Sequence, residues 1–376
     1  MLEQVFQYST LKKDVFDKEK EALCKIVKYK MPALDYASGR TSYAVRRYEF
    51  TYSDAETAIM YATKSLYSKI ISLELGFSDS NPCQIKTTDN KRIAITVPRK
   101  DQETLWLGDG ISEMRKKPYE NGEFIAYVGE TSNGEAAIID FNMTPHWIIA
   151  GTTGAGKTVC IMDILLTLME RYSPDELNLY LADNKNTITH FDGIKHVKMQ
   201  ANNNEDILIL WESVVKLFEE RKELLGGSDI IAYNEDHPDK KLPRILVVFD
   251  EADNVISRGG GESADAVREC VRQIAAEGRS AGIHVILASQ KPVGANIDTR
   301  ITSNVPGRIA LKTANRRDSL TILDHKGAEK LAGNGDAFFR STNTKDDERI
   351  QCAFATRQEI EKAKEVLRNA YGSSET

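Results

Sequence analysis

The chain reads as an α/β protein with a parallel-sheet core, preceded by a small α+β domain. Three observations predict this. From His146 onward, short apolar runs alternate with longer helical segments, the pattern of repeated βαβ units. The short runs are nearly continuous Val, Ile and Leu, as a sheet covered on both faces requires. A glycine-rich turn, GTTGAGKT at 151–158, sits between one such run and a helical pattern.

Taken in order, residues 1–44 open with a charged, weakly patterned stretch (LKKDVFDKEKEALCKIVKYK) that reads as a solvated helix. Residues 45–110 read as the small α+β domain. VRRYEFTYS, KRIAITVP and ETLWLGD are expected strands there, and AETAIMYATKSLYSKIISLELG a single amphipathic helix. The turn signals of KKPYENGE then lead into strands FIAYVGE and AAIIDF, and residues 111–376 form the larger domain. Its expected core strands are HWIIAG, LNLYLAD, RILVVFD, HVILAS and GRIALK, separated by helices such as TVCIMDILLTLMERY and DILILWESVVKLFEERKELL. RGGGES at 258–263 reads as a loop.

Composition excludes several classes. The net charge of −6 gives no global positive field, so any nucleic-acid contact must be local. Five widely spaced cysteines without a CxxC pair fit neither a disulfide framework nor a zinc site. The N-terminus lacks a signal-peptide h-region, and no apolar run approaches the ~18 residues of a membrane helix. The expectation is a soluble, cytoplasmic protein without membrane insertion.

The turn at 151–158 satisfies G-x-x-x-x-G-K-[ST] throughout. Gly151, Thr152, Thr153, Gly154, Ala155 and Gly156 supply a backbone able to wrap phosphates, aided by the positive N-terminus of the next helix. Lys157 would reach the β- and γ-phosphates of ATP, and Thr158 would hold Mg²⁺. Such a loop needs an acid at a neighbouring strand end, and RILVVFDEADN offers Asp250 for the magnesium shell. Glu251 follows, placed to accept a proton from the attacking water. HVILASQ ends in Ser289 and Gln290, whose amide can sense the γ-phosphate and the lytic water.

Taken together, GTTGAGKT, FEERKELL, VVFDEAD, AEGRSAGIHVILASQKP and SNVPGRIALKTANRRDSLTILDHKGAEKLAGNGDAFF resemble, in order, the motifs of the FtsK/SpoIIIE DNA translocases. The likeness runs over most of 45–367, with 45–110 similar to the family's α domain and 111–376 to its RecA-like β domain. The resemblance implies an ATP-hydrolysing motor that works as a hexameric ring of identical subunits around double-stranded DNA. It also implies an arginine that completes the neighbour's site, for which Arg308, Arg221 and Arg279 are the candidates, in that order. Channel loops are expected around 257–263 and 292–301, with Arg258, Lys291 and Arg300 meeting phosphates. The family's membrane helices and winged-helix module have no counterpart in the sequence, and its DPK is Asp183-Asn184-Lys185 here. Alternatives within this resemblance are a conjugative coupling ATPase, a type VII-like protein-secretion ATPase, and a regulatory ATPase that controls a partner such as a nuclease.

Overall fold

The computed structural model describes residues 1–8, 13–41, 45–77, 83–88, 91–98, 104–131, 134–188, 190–256, 261–290, 299–344 and 346–371. The chain divides into two compact units. Met1–Gln7, Trp106–Gly129 and Ala136–Thr376 form the larger, and Tyr8–Leu105 with Glu130–Glu135 the smaller.

The smaller unit comprises α1 (Lys13–Lys30), β1 (Leu34–Thr41), β2 (Val45–Tyr52), α2 (Ala55–Thr63), α3 (Ser65–Glu74), β3 (Gln84–Thr88) and β4 (Arg92–Pro98). Its strands pair antiparallel in the order β1-β2-β4-β3. The first helix, expected to be solvated and separate from the domain at 45–110, instead buries Leu23 and Val27, with Met31 just beyond its end, in one core with Tyr48, Phe50, Ile93 and Ile95. Its charged composition had masked that narrow apolar stripe. The single helix expected over 55–76 is two. Lys64 is extended (φ −80°, ψ 109°), and breaks the helix without a proline or glycine to announce it.

The larger unit begins with α4 (Leu107–Lys116), followed by β5 (Ile125–Thr131), β6 (Ala136–Asp140), β7 (His146–Ala150), α5 (Lys157–Arg171), β8 (Leu177–Asp183) and β9 (Val197–Ala201). It continues with α6 (Asn204–Leu225), α7 (Ile230–Asp236), β10 (Arg244–Asp250), α8 (Ala252–Ile256), α9 (Glu262–Glu277) and β11 (Ile283–Ser289). The remaining elements are α10 (Thr299–Thr302), β12 (Gly307–Leu311), α11 (Arg316–Leu323), β13 (Asp336–Arg340), β14 (Glu348–Cys352) and α12 (Arg357–Tyr371). ETLWLGD, expected as a strand, supplies only an isolated bridge from Trp106 to Phe354 before α4 begins, because Leu107, Ile111 and Met114 bury one helical face.

Ten strands form one sheet in the order β6-β5-β14-β13-β12-β7-β11-β10-β8-β9. The run from β12 to β9 is parallel, and β13 and β14 add antiparallel. Every residue of β7, β10 and β11 is buried, the mark of a sheet covered on both sides. One large apolar core joins these strands to α6 and α9 through Trp211, Phe218, Phe249, Val271 and Ile274. With β7, β11 and β10 adjacent and parallel, their C-terminal ends open on one edge, where ligands of such sheets bind. Among the described residues, no helix is long and apolar enough to cross a membrane.

Candidate nucleotide-binding site

The loop after β7 is held open by backbone geometry. Gly156 has φ +105°, and a Cβ there would stand 2.9 Å from the backbone nitrogen of Gly335, so no side chain fits without moving main chain. Gly151 is similarly tight, with a Cβ 2.8 Å from Cβ of Leu311. Thr152 anchors the loop to the neighbouring strand's exit, its N–H donating to the carbonyl of Lys312 at 2.9 Å. Ala155 donates back to Thr152 at 3.0 Å, and Gly335 donates to the carbonyl of Ala155 at 2.9 Å. Gly154, also left-handed at φ +81°, has open space around it. The 15-residue α5 then starts at Lys157 with no side-chain N-cap, leaving its positive end for an anion.

Lys157 is buried and hydrogen-bonds Oδ1 of Asp250, with Oε1 of Glu251 at 3.6 Å. Thr158, in the first turn of α5, is half-buried. Burial pushes the Asp250 carboxyl up, Lys157 pulls it back, and Asp183 on the adjacent strand adds a further upward push. Glu251 sits at φ +52°, a left-handed backbone unusual for a side chain of its length, and its Oε1 is buried without a hydrogen-bond partner among the described residues. The side chain of Thr153 donates to Oε1 of Gln290 at 2.9 Å, so the loop and the end of β11 touch directly. Ser289 donates to Oδ1 of Asp253 at 2.6 Å, tying β11 to the helix that follows the acidic pair.

The structure therefore brings together the loop at 151–158, Asp250, Glu251 and Gln290. An uncapped helix start and a loop whose Gly151 and Gly156 leave no room for a side chain fit a bound nucleotide phosphate. Thr158 and Asp250 would hold its magnesium ion.

Two expected residues are elsewhere. Arg308 donates to the carbonyls of Gly307 (2.9 Å), Thr302 and Ile322 (both 3.2 Å) and to that of Val305. Arg221 is buried and donates to the carbonyls of Ala281 at 2.7 Å and Pro243 at 2.8 Å. Burial holds both guanidiniums down at about 10. Each guanidinium is bonded to its own chain's backbone. Arg279 is exposed. Arg300 lies exposed in α10, while Arg258, Lys291 and most of both expected channel loops lie outside the described residues.

Sequence reasoning passed over the turn after β8. There the buried carboxylate of Asp183 accepts from the N–H groups of Lys185 (2.8 Å) and Ile188 (3.0 Å), and from both the N–H and the hydroxyl of Thr187. Lys185 in turn places its Nζ 3.2 Å from Oε1 of Glu251. The departure Asp183-Asn184-Lys185 was the available signal.

The FtsK/SpoIIIE family profile matches residues 112–234, across the loop and the strands around it. Over these residues the chain is similar to the FtsK/SpoIIIE family. It is 31% identical over 287 residues to the DNA translocase FtsK of Caldanaerobacter subterraneus subsp. tengcongensis, covering 75% of this chain and 40% of that protein. Against the DNA translocase SpoIIIE of Bacillus subtilis the identity is 30% over 285 residues, covering 72% and 36%. The chain thus spans well under half the length of these FtsK/SpoIIIE relatives. Among solved structures, the pCW3 conjugation coupling protein TcpA with ATPγS is similar at TM-score 0.61 and 21% identity, covering 93% of this chain and 99% of that one. The cytoplasmic domain of the Thermomonospora curvata type VII secretion ATPase EccC is similar at TM-score 0.58 and 20% identity, covering 69% and 32%. These two likenesses show the fold alone.

Proposed function

We infer that the larger unit hydrolyses ATP and uses it to translocate along double-stranded DNA as a ring of identical subunits. The observation that carries the reading is the convergence of Lys157, Asp250, Glu251 and Gln290 at one sheet edge, in a chain similar to FtsK and SpoIIIE DNA translocases. Backbone N–H groups of the loop bind the phosphates, and Lys157 turns from the two carboxylates to the β- and γ-phosphates. Thr158 and Asp250 would hold a magnesium ion, which would neutralise phosphate charge. Glu251 orients the attacking water and takes its proton. Gln290 registers the γ-phosphate through its contact with Thr153 and passes that to the loop after β11.

Of the three arginines considered for the neighbour's site, Arg279 is exposed while Arg221 and Arg308 are bound to their own backbone. We assign the trans role to Arg279. The test is ATP turnover with and without linear duplex DNA, followed by displacement of a protein roadblock. Stimulation by DNA with displacement supports the motor. Turnover indifferent to DNA sinks it and favours a regulatory ATPase. Lys157→Ala is the control, and ATPase surviving in that variant removes the site itself.

A further inference from the structure

Asp183 ends β8 fully buried and collects four donors from residues 185–188 on one carboxylate. Four bonds to a single buried acceptor fix that turn's backbone, so the fold itself sets where Lys185 starts. Its amine then reaches Oε1 of Glu251 at 3.2 Å. The other oxygen, Oε2, accepts from Nδ2 of Asn254 at 3.3 Å. The carboxylate thus has an ion-pair partner at one oxygen and a hydrogen-bond donor at the other, from two separate elements. This matters because Glu251 departs the strand through a left-handed residue, and a base displaced by ~1 Å can lose about 10²-fold in rate.

Lys157 also approaches Oε1, at 3.6 Å, but the proposed chemistry takes that amine to the phosphates. Lys185 is the cation that remains there among the described residues. The geometry points to Lys185 as a positioning residue that holds Glu251 toward the attacking water, a role that rests on the hydrolytic reading above. The side chain of Lys185 is 47% exposed, and an ion pair so open to solvent contributes little to stability, so its removal leaves the protein folded.

The test compares wild type, Lys185→Met and Lys185→Arg in steady-state ATP turnover, with ATPγS affinity measured on each. The expected result is a fall in kcat of about tenfold or more in Lys185→Met, with KM and ATPγS affinity within about twofold of wild type. Lys185→Arg, which keeps a cation within reach, recovers most of kcat. Unchanged kcat in Lys185→Met overturns the proposal. So does a loss seen in KM and ATPγS affinity, which would make Lys185 a phosphate ligand. A wild type that binds ATPγS but turns over no ATP refutes the hydrolytic reading, and the proposal falls with it.

Discussion

Arg308→Ala separates a structural guanidinium from one that serves a neighbouring subunit. Arg308 serves four backbone carbonyls, those of Thr302, Val305, Gly307 and Ile322, and so pins the approach to β12 against the end of α11. A hydrogen bond from a charged donor contributes about 1.5–3 kcal/mol, but half-buried carbonyls recover part of that from water. At about 1 kcal/mol for each of three effectively lost bonds, alanine should cost about 3 kcal/mol. For a unit of this size that corresponds to a fall in Tm of roughly 5 °C. Thermal unfolding followed by circular dichroism gives the number. ATP turnover, measured well below both transitions, should stay within about threefold of wild type because the site residues are untouched. An unchanged Tm with turnover lost, and restored by mixing with subunits defective in Glu251, would refute the reasoning and return Arg308 to the trans role.

Two further outcomes are expected. Arg279→Ala should lower turnover by on the order of 10³-fold, and mixing it with Glu251→Gln should restore part of it, since some interfaces then pair an intact arginine with an intact base. Full activity in Arg279→Ala alone would end that assignment. Asp163, fully buried on α5, has neither carboxylate oxygen hydrogen-bonded among the described residues, and burial, with Glu359 nearby, pushes its carboxyl well up. A carboxyl raised in the folded state contributes stability that is complete below the unfolded value of about 3.9 and is lost as pH rises toward the folded one. Asp163→Asn should therefore raise Tm at pH 7, with the gap closing near pH 4. A gap independent of pH would contradict this.

The sequence was legible where one physical rule dominated. Strands β7, β8, β10, β11 and β12 announce themselves because burial on both faces forces unbroken apolar runs, and the loop at 151–158 because its backbone admits few residues. It was less legible where packing overrode pattern. Trp106 and Leu107 are as apolar as any strand, yet the spacing of Ile111 and Met114 makes the segment a helix. The break at Lys64 has no composition signal, because an extended residue there satisfies two short helices packed separately. The arginines illustrate the limit for sites. Neighbouring letters cannot show that four carbonyls already surround Arg308, nor that Asp183 aims Lys185 at a carboxylate sixty-six positions away.

The left-handed backbone at Glu251 sets durability against work. Glycine is the residue most at ease at φ +52°, and a side chain there costs on the order of 1 kcal/mol. Random variation selected for heat resistance alone would thus be drawn to remove the very carboxylate proposed to take the water's proton. Directed evolution of this chain has to score hydrolysis in every round, or it will converge on an inert scaffold.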